Sequence, residues 1–290
     1  MKWVDFVSPH SVTEAVKLLS DANGKARMLA GGTDLLVQIR ADRLQPDLIV
    51  DSKTIPELNE ITFDSKSGLT IGAAVPCYRI YGDKDVQRDY PGLIDSTSLI
   101  GGTQIQGRAT LGGNLCNAAP SADSIPVMIA LGGVATIAGP NTTREVPVED
   151  ICTGPGKNLL NSNEILVSVH FPAPENRSGA NYMRFIPRNE MDIAVAGVGS
   201  SVVLDGDNIK EARVALASVA PTPLYVTAIG DAINGKPATK DTLSIAGQIA
   251  KEAASPITDM RGTIEYRKHL CDVLTRRSLQ IAIDRAKENN

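Results

Sequence analysis

The most informative stretch of this 290-residue sequence is Thr110-Leu111-Gly112-Gly113-Asn114-Leu115-Cys116-Asn117-Ala118-Ala119-Pro120-Ser121-Ala122-Asp123. Its glycine pair is flanked by Thr110 and Asn114, two side chains that can hydrogen-bond a polar ligand. The surrounding residues 101–123 are rich in Gly, Asn, Ala and Pro, are poor in charge, and show neither helical nor strand periodicity. That mixture is typical of backbone wrapped closely around a ligand. Asp123 can cap a helix or accept from a sugar hydroxyl, and capping is the favoured interpretation for an isolated Asp.

A second glycine pair lies in Leu29-Ala30-Gly31-Gly32-Thr33-Asp34-Leu35. It follows a predicted strand at residues 26–30 and precedes a predicted helix at residues 35–39. Glycines let backbone N–H groups approach a ligand, and a helix N-terminus favours phosphate oxygens. The alternative is a plain glycine turn capped by Thr33 or Asp34. The segment lacks both the G-x-G-x-x-G fingerprint and the Gly-Lys-Ser/Thr of a P-loop.

The two segments together indicate more than either does alone. A diphosphate with a sugar on each side needs hydrogen-bond donors from several loops at once. Two loops with paired glycines in one domain meet that need.

Composition and charge exclude several classes of function. The sequence has 42% hydrophobic and 21% charged residues and a net charge of −4, so no basic patch indicates nucleic acid or an anionic membrane. No apolar run approaches the roughly 20 residues that span a membrane. Residues 1–6 contain Asp5 and lack the apolar core of a signal peptide, so we expect a cytoplasmic protein.

The four cysteines and three histidines give no indication of a metal site. Metal sites and iron–sulfur clusters usually need at least one closely spaced cysteine pair, and this sequence has none. We therefore expect no metal, and reduced structural thiols. The histidines are outside the glycine motifs and are interpreted as structural. These residues are Cys77, Cys116, Cys152, Cys271, His10, His170 and His269.

The order of predicted elements favours an α+β fold in two domains. A capping box at residues 11–14 begins a helix, and the first 50 residues alternate between strand and helix. Helices are predicted at residues 77–86, 92–100 and 124–131, and strands at 69–72, 134–138, 144–148 and 164–171. Residues 172–179 contain Pro, Gly and polar residues without periodicity, and they indicate a boundary. Strands at residues 181–186, 194–204 and 209–218, with a hairpin at Asp205-Gly206, then precede helices at 224–233, 239–254 and 262–287. The predicted domains are residues 1–176 and 177–290.

The sequence resembles the FAD-binding medium subunits of molybdenum hydroxylases, the family of xanthine dehydrogenase and aerobic carbon monoxide dehydrogenase. Residues 30–35 match the first flavin loop of that family, and residues 110–120 through Asp123 match its second loop almost letter for letter. Segments of the second domain also match, and the resemblance runs in order along essentially the whole chain. These segments are residues 191–194, 221–223, 259–262 and 266–267.

The resemblance implies a role for individual residues. It implies that residues 29–35 and Leu36 hold the FAD diphosphate, and that Gly101 and residues 110–114 complete the cradle. Asp123 then binds a sugar hydroxyl of the cofactor. Relatives commonly carry a lysine that reaches the flavin at the position of Arg184, and arginine is a wider, forked and permanently charged donor. Leu160 and Leu166 line the flavin or adenine ring. The full set of cofactor-binding residues that the resemblance implies is Leu29, Ala30, Gly31, Gly32, Thr33, Asp34, Leu35, Leu36, Gly101, Thr110, Leu111, Gly112, Gly113, Asn114, Asp123, Leu160, Leu166 and Arg184.

The resemblance also implies a function and its partners. The fold is expected to be the two-lobed flavin fold shared with vanillyl-alcohol-oxidase-like proteins, followed by a smaller domain of antiparallel sheet and helices. FAD is held noncovalently and passes electrons from two [2Fe–2S] clusters on a small subunit to NAD, a quinone, oxygen or another acceptor. A large molybdopterin subunit oxidises the substrate, in a dimer of heterotrimers, and no acid or base of this chain acts on the substrate. The alternatives are a stand-alone FAD oxidoreductase of the same fold and a structural subunit without flavin.

Overall fold

A computed structural model of the chain describes residues 3–289. Three residues lie outside the described part: Met1, Lys2 and Asn290. They are at the ends of the two predicted domains, and the first two also belong to the N-terminal segment, residues 1–6. The predicted α+β class is confirmed, because antiparallel and parallel sheets combine with helices in separate layers. No helix within residues 3–289 is long and apolar enough to cross a membrane.

The first lobe is a three-stranded parallel sheet with helical crossovers. Strands β1 (Asp5–Val7), β2 (Ala26–Leu29) and β3 (Leu48–Asp51) lie in the order β1-β3-β2, and helices α1 (Val12–Asp21) and α2 (Leu35–Arg40) connect them. The predicted capping box begins α1: Ser11 Oγ accepts from the backbone N of Glu14 at 3.2 Å. The Glu14 carboxylate accepts from the backbone N of His10 at 2.9 Å, one residue earlier than in the standard box.

The second lobe is a five-stranded antiparallel sheet whose strands come from distant parts of the sequence. Its order is β4-β5-β10-β6-β7, and a small hairpin of β8 and β9 lies beside it. Strand β10 is central, and its residues are mostly buried on both faces. The strands are β4 (Ile61–Asp64), β5 (Gly68–Gly72), β6 (Val134–Ala138), β7 (Thr143–Pro147), β8 (Cys152–Gly154), β9 (Lys157–Asn158) and β10 (Ile165–Phe171).

Short helices connect the two lobes, and two sequence expectations are wrong here. The helix predicted at residues 77–86 is two helices, because the Asp83 carboxylate accepts from the backbone N atoms of Asp85 (3.0 Å) and Val86 (3.1 Å) and starts a new one. Residues 101–123 contain two helices, which are too short to give a periodic pattern. The helices are α3 (Cys77–Gly82), α4 (Lys84–Asp89), α5 (Pro91–Thr97), α6 (Thr103–Gln106), α7 (Leu111–Asn117) and α8 (Ser124–Ala130).

The C-terminal part is a four-stranded antiparallel sheet covered by helices. Strands β11 (Ser178–Phe185), β12 (Ala196–Asp205), β13 (Asn208–Ala217) and β14 (Leu224–Tyr225) are neighbours in that order, and the predicted hairpin at Asp205-Gly206 joins β12 to β13. Helices α9 (Thr227–Ile233), α10 (Lys240–Ala253) and α11 (Ile264–Glu288) follow. The helix predicted from residue 224 is wrong in its first residues, because Leu224 and Tyr225 pair with β13 instead.

The C-terminal sheet and its helices pack directly on the first part of the chain. Every residue of α8 is buried, and α8 lies against β12 and β13. Arg285 of α11 donates to both carboxylate oxygens of Asp95 in α5, at 2.6 and 2.9 Å. The Asp95 carboxylate also accepts from Asn181 Nδ2 at 2.7 Å and from the backbone N of Tyr182 at 3.2 Å. The contact between the two parts is therefore both apolar and specifically hydrogen-bonded.

Candidate cofactor-binding cleft

A cleft of about 770 Å³ lies between the two lobes, and both glycine pairs line it. That volume is in the range of protein sites for organic cofactors. The structure thus brings together two loops that are about 80 residues apart in the sequence. Predicted site residues on the cleft wall are Ala30, Gly31, Gly32, Thr33, Asp34, Leu35, Thr110, Gly112, Gly113, Asn114, Leu160 and Leu166.

The two glycine loops touch, and the contact depends on Gly31. A Cβ atom placed on Gly31 would lie 2.3 Å from the carbonyl O of Arg108 and 3.0 Å from Cα of Ala109. Arg108 Nε in turn donates to the carbonyl O of Gly31 at 3.3 Å. Gly32 has φ of +80°, a conformation that favours glycine. The pair therefore allows a tight turn that packs on the second loop.

The turn leaves backbone donors for a ligand. Within residues 3–289 the backbone N–H groups of Gly31, Gly32, Thr33 and Asp34 donate to no protein acceptor. All four residues line the cleft. Such a run of N–H groups is suited to the oxygens of a diphosphate, so the loop fits the group that the sequence predicts there.

The second loop is held in shape by its own side chains. Thr110 Oγ1 accepts from the backbone N of Gly113 at 2.9 Å and caps α7. Asn114 Oδ1 accepts from Ser124 Oγ at 2.6 Å, which leaves its amide N–H groups for other acceptors. The loop therefore presents Asn114 to the cleft in a fixed orientation.

Leucines and a hairpin close the cleft on the other side. Leu166 of β10 is buried, and Leu160, in the loop after β9, is half-buried, so each offers an apolar surface. Thr153 and Asn158 of the β8–β9 hairpin also line the cleft. No site residue was predicted in this hairpin, although Thr-Gly-Pro-Gly at residues 153–156 is a turn signal that could have indicated it.

Six of the predicted residues do not line the cleft in the part of the chain that the structure describes. Leu29 and Leu36 flank Gly32 and support the turn. A Cβ on Gly32 would lie 2.9 Å from Cδ1 of Leu29 and 3.3 Å from Cδ1 of Leu36. Leu111 of α7 is buried. Gly101 follows Ile100, and Ile100 does line the cleft. Asp123 and Arg184 form an ion pair with each other. The six are Leu29, Leu36, Gly101, Leu111, Asp123 and Arg184.

Asp123 is the centre of a buried polar group rather than a helix cap. Its carboxylate accepts from Tyr182 Oη at 2.7 Å and from Arg184 Nη1 at 2.6 Å. It makes no side-chain bond to α8, so the interpretation of Asp123 as a cap is wrong: the two partners on β11 occupy its oxygens. Burial raises the pKa of Asp123 to about 6, and the Arg184 guanidinium opposes that shift. The carboxylate stays next to the second glycine loop, since Ser124 begins α8 and contacts Asn114.

Two family models together match nearly the whole chain. The FAD binding domain in molybdopterin dehydrogenase matches residues 2–174, and the CO dehydrogenase flavoprotein C-terminal domain matches residues 181–282. The chain belongs to the molybdopterin dehydrogenase flavoprotein family. This assignment confirms the sequence-based prediction of an FAD-binding subunit of the molybdenum hydroxylase type.

Relatives of this flavoprotein family cover the full length of the chain. The xanthine dehydrogenase FAD-binding subunit of Escherichia coli O157:H7 is 34% identical over 96% of this chain and 97% of its own length. The carbon monoxide dehydrogenase medium chain of Hydrogenophaga pseudoflava is 31% identical and covers 96% of both chains. A solved structure of carbon monoxide dehydrogenase from Hydrogenophaga pseudoflava, lacking the Mo-pyranopterin moiety of its molybdenum cofactor, superposes with a TM-score of 0.94 at 31% identity, covering 98% of each chain.

Proposed function

We propose that this chain binds FAD noncovalently and relays electrons from [2Fe–2S] clusters of a partner subunit to an external acceptor. The observation that carries the proposal is the cleft between the lobes. Two glycine loops meet there, and the N–H groups of residues 31–34 have no acceptor among the described residues of the protein. When bound, FAD supplies the one- and two-electron chemistry that such a relay needs.

The residues of the chain divide the binding work. The N–H groups of Gly31 to Asp34 bind the diphosphate oxygens, and Asn114 donates to a polar group of the cofactor. Leu160 and Leu166 give the ring system an apolar wall that excludes water. Asp123 accepts a sugar hydroxyl with the oxygen lone pairs that Tyr182 and Arg184 leave unused.

We also propose the division of the chain after residue 176. Separate buried clusters support it, since one draws almost entirely on residues before 172 and the other on residues after 194. The second part packs on α8 through β12 and β13, and its proposed role is structural and in assembly.

The partners belong to the same proposal. Relatives are named as medium chains or FAD-binding subunits, which supports a complex with a molybdopterin-binding large subunit and a [2Fe–2S] small subunit, in a dimer of heterotrimers. The four cysteines are free thiols, which suits a reducing, cytoplasmic compartment.

The test is the visible spectrum of the purified full-length chain, followed by release and identification of the flavin. About one FAD per chain, released by heat without proteolysis, supports the proposal. Co-purification with tagged large and small subunits then tests the relay, because reduction of the flavin should require both partners and the substrate. A chain that takes up no flavin, or that turns over a substrate without partners, would contradict it.

A further inference from the structure

Three cationic side chains lie near the loop of residues 31–34, here called the glycine cradle, without belonging to the cleft wall. Arg108 is the nearest, since its Nε donates to the carbonyl O of Gly31 at 3.3 Å. Lys53 Nζ donates to the carbonyl O of Ala74, which lines the cleft, at 2.7 Å. Arg79 of α3 donates to the carbonyl O of Asn59 at 2.7 Å, and the preceding residue, Leu58, lines the cleft.

The positive charges of this cluster act on one another. Burial lowers the pKa of Lys53, and the nearby charges of Arg108 and Arg79 lower it further, while Asp51 opposes them. Among residues 3–289, no carboxylate lies within 4.0 Å of the cationic nitrogens of the three side chains. The cluster thus has a surplus of positive charge beside the cradle.

The cradle itself lacks a matching counter-charge for a diphosphate. Its loop offers neutral N–H groups, and α2 behind it has only six residues, so its dipole is short. Asp34 adds a carboxylate on the cleft wall, which repels an anion. A dianion bound there therefore needs positive charge from outside the loop, which Arg27 and Lys157 on the cleft wall and the three cations beside it can supply.

We propose that Lys53, Arg79 and Arg108 form a counter-charge site for the cofactor diphosphate, acting through the Gly31 loop rather than by direct contact. This inference rests on the proposed function and adds residues that neither glycine motif contains. Because the charges act across the loop at a partly exposed edge, the attraction is weakened by salt. Replacing the charge while keeping the loop should therefore change both the affinity for FAD and its dependence on salt.

The experiment uses the full-length chain after removal of flavin and measures the Kd for FAD by fluorescence quenching at 50 to 400 mM KCl. Arg108→Gln and Arg79→Gln should each weaken binding about two- to fivefold at low salt and flatten the salt dependence. Arg108→Lys keeps the charge and should bind like the original chain. Lys66→Gln, an equal loss of charge in the exposed β4–β5 turn, should change neither quantity.

Two results would overturn the inference while leaving FAD binding intact. One is an unchanged Kd and salt dependence in both glutamine variants. The other is equal weakening by Arg108→Lys and Arg108→Gln, which would show that the hydrogen bond from Arg108 Nε to Gly31 matters and the charge does not. Arg79 donates to Asn59 and not to the Gly31 loop. A weaker Kd in Arg79→Gln therefore reports the lost charge and not a distorted loop. A chain that binds no FAD at any salt would instead sink the proposed function together with this inference.

Discussion

Substitution of Gly31 by alanine should separate the two glycine loops and abolish tight FAD binding. The new Cβ would lie 2.3 Å from the carbonyl O of Arg108, whereas ordinary contact begins at 3.4 Å, so the loops must move apart by roughly 1 Å. The obstacle is backbone on the second loop, which cannot rotate away as a side chain can. Overpacking of this kind costs about 1–3 kcal/mol. Because the cleft needs both loops at once, most of that cost falls on binding, and 2 kcal/mol corresponds to a roughly 30-fold weaker Kd.

The assay is titration of the flavin-free chain with FAD, combined with a thermal unfolding curve for each variant. Gly82→Ala is the matched control: it is also in the first domain, and a Cβ there meets nothing within 4 Å. The control should bind FAD as the original chain does. If Gly31→Ala also binds FAD within twofold of the original chain, with an unchanged Tm, the contact between the loops does not control the cleft, and the reasoning is refuted.

Other consequences concern the interface, the buried carboxylate and the thiols. Asp95→Ala leaves Arg285 without its bidentate partner and should lower the free energy of unfolding in urea by about 2–4 kcal/mol; a loss below about 0.5 kcal/mol would show that water replaces the carboxylate. Burial raises the pKa of Asp123 from 3.8 to about 6, so the folded state holds the proton more tightly than the unfolded state does. The contribution of the protonated Asp123 to the free energy of unfolding is therefore full below pH 3.8 and declines as the pH rises to 6. The stability of the original chain relative to Asp123→Asn should therefore fall across that window, and a constant difference would mean that the folded-state pKa is not raised. Burial also raises the pKa of each thiol, to about 12 or, for one of them, about 11. An aromatic disulfide reagent at pH 8 should therefore label the folded chain more slowly than the unfolded chain. Equal labelling rates would contradict the burial of Cys77 and Cys271 and the partial burial of Cys116 and Cys152.

The sequence predicted those parts of the fold that local signals determine. The capping box at Ser11 and the hairpin at Asp205-Gly206 act within a few residues, and both are present. Strands β1 and β4 were missed, because three or four residues give no reliable pattern. Tyr225 was assigned to a helix for the same reason, although its ring stacks under the Arg213 guanidinium, whose carbon lies 4.4 Å from the ring centre.

The site shows the same division between local and distant signals. The glycine loops could be recognised because close approach of backbone to backbone restricts the residue type itself, as Gly31 shows. The partners of Asp123 could not be found in this way. Tyr182 and Arg184 are about 60 residues away on another sheet, and nothing in the local pattern indicates that they occupy the carboxylate. The cap predicted at Asp123 was wrong because a tertiary hydrogen bond replaced a local one.

The C-terminal part of the chain holds the segment that follows the second glycine loop. The carbonyl O of Ile129 at the end of α8 accepts from Arg213 Nη2 at 3.0 Å, and the carbonyl O of Ala130 accepts from Ser201 Oγ at 2.6 Å. On the other side of α8, the backbone N of Ser218 donates to the carbonyl O of Pro120 at 2.7 Å. These bonds fix both ends of the segment that follows the second glycine loop, and without them its buried carbonyl groups would lose their partners. A cleft that needs two loops in register thus depends on a third element, so the second domain contributes to the geometry of the cofactor site although it supplies little of its wall.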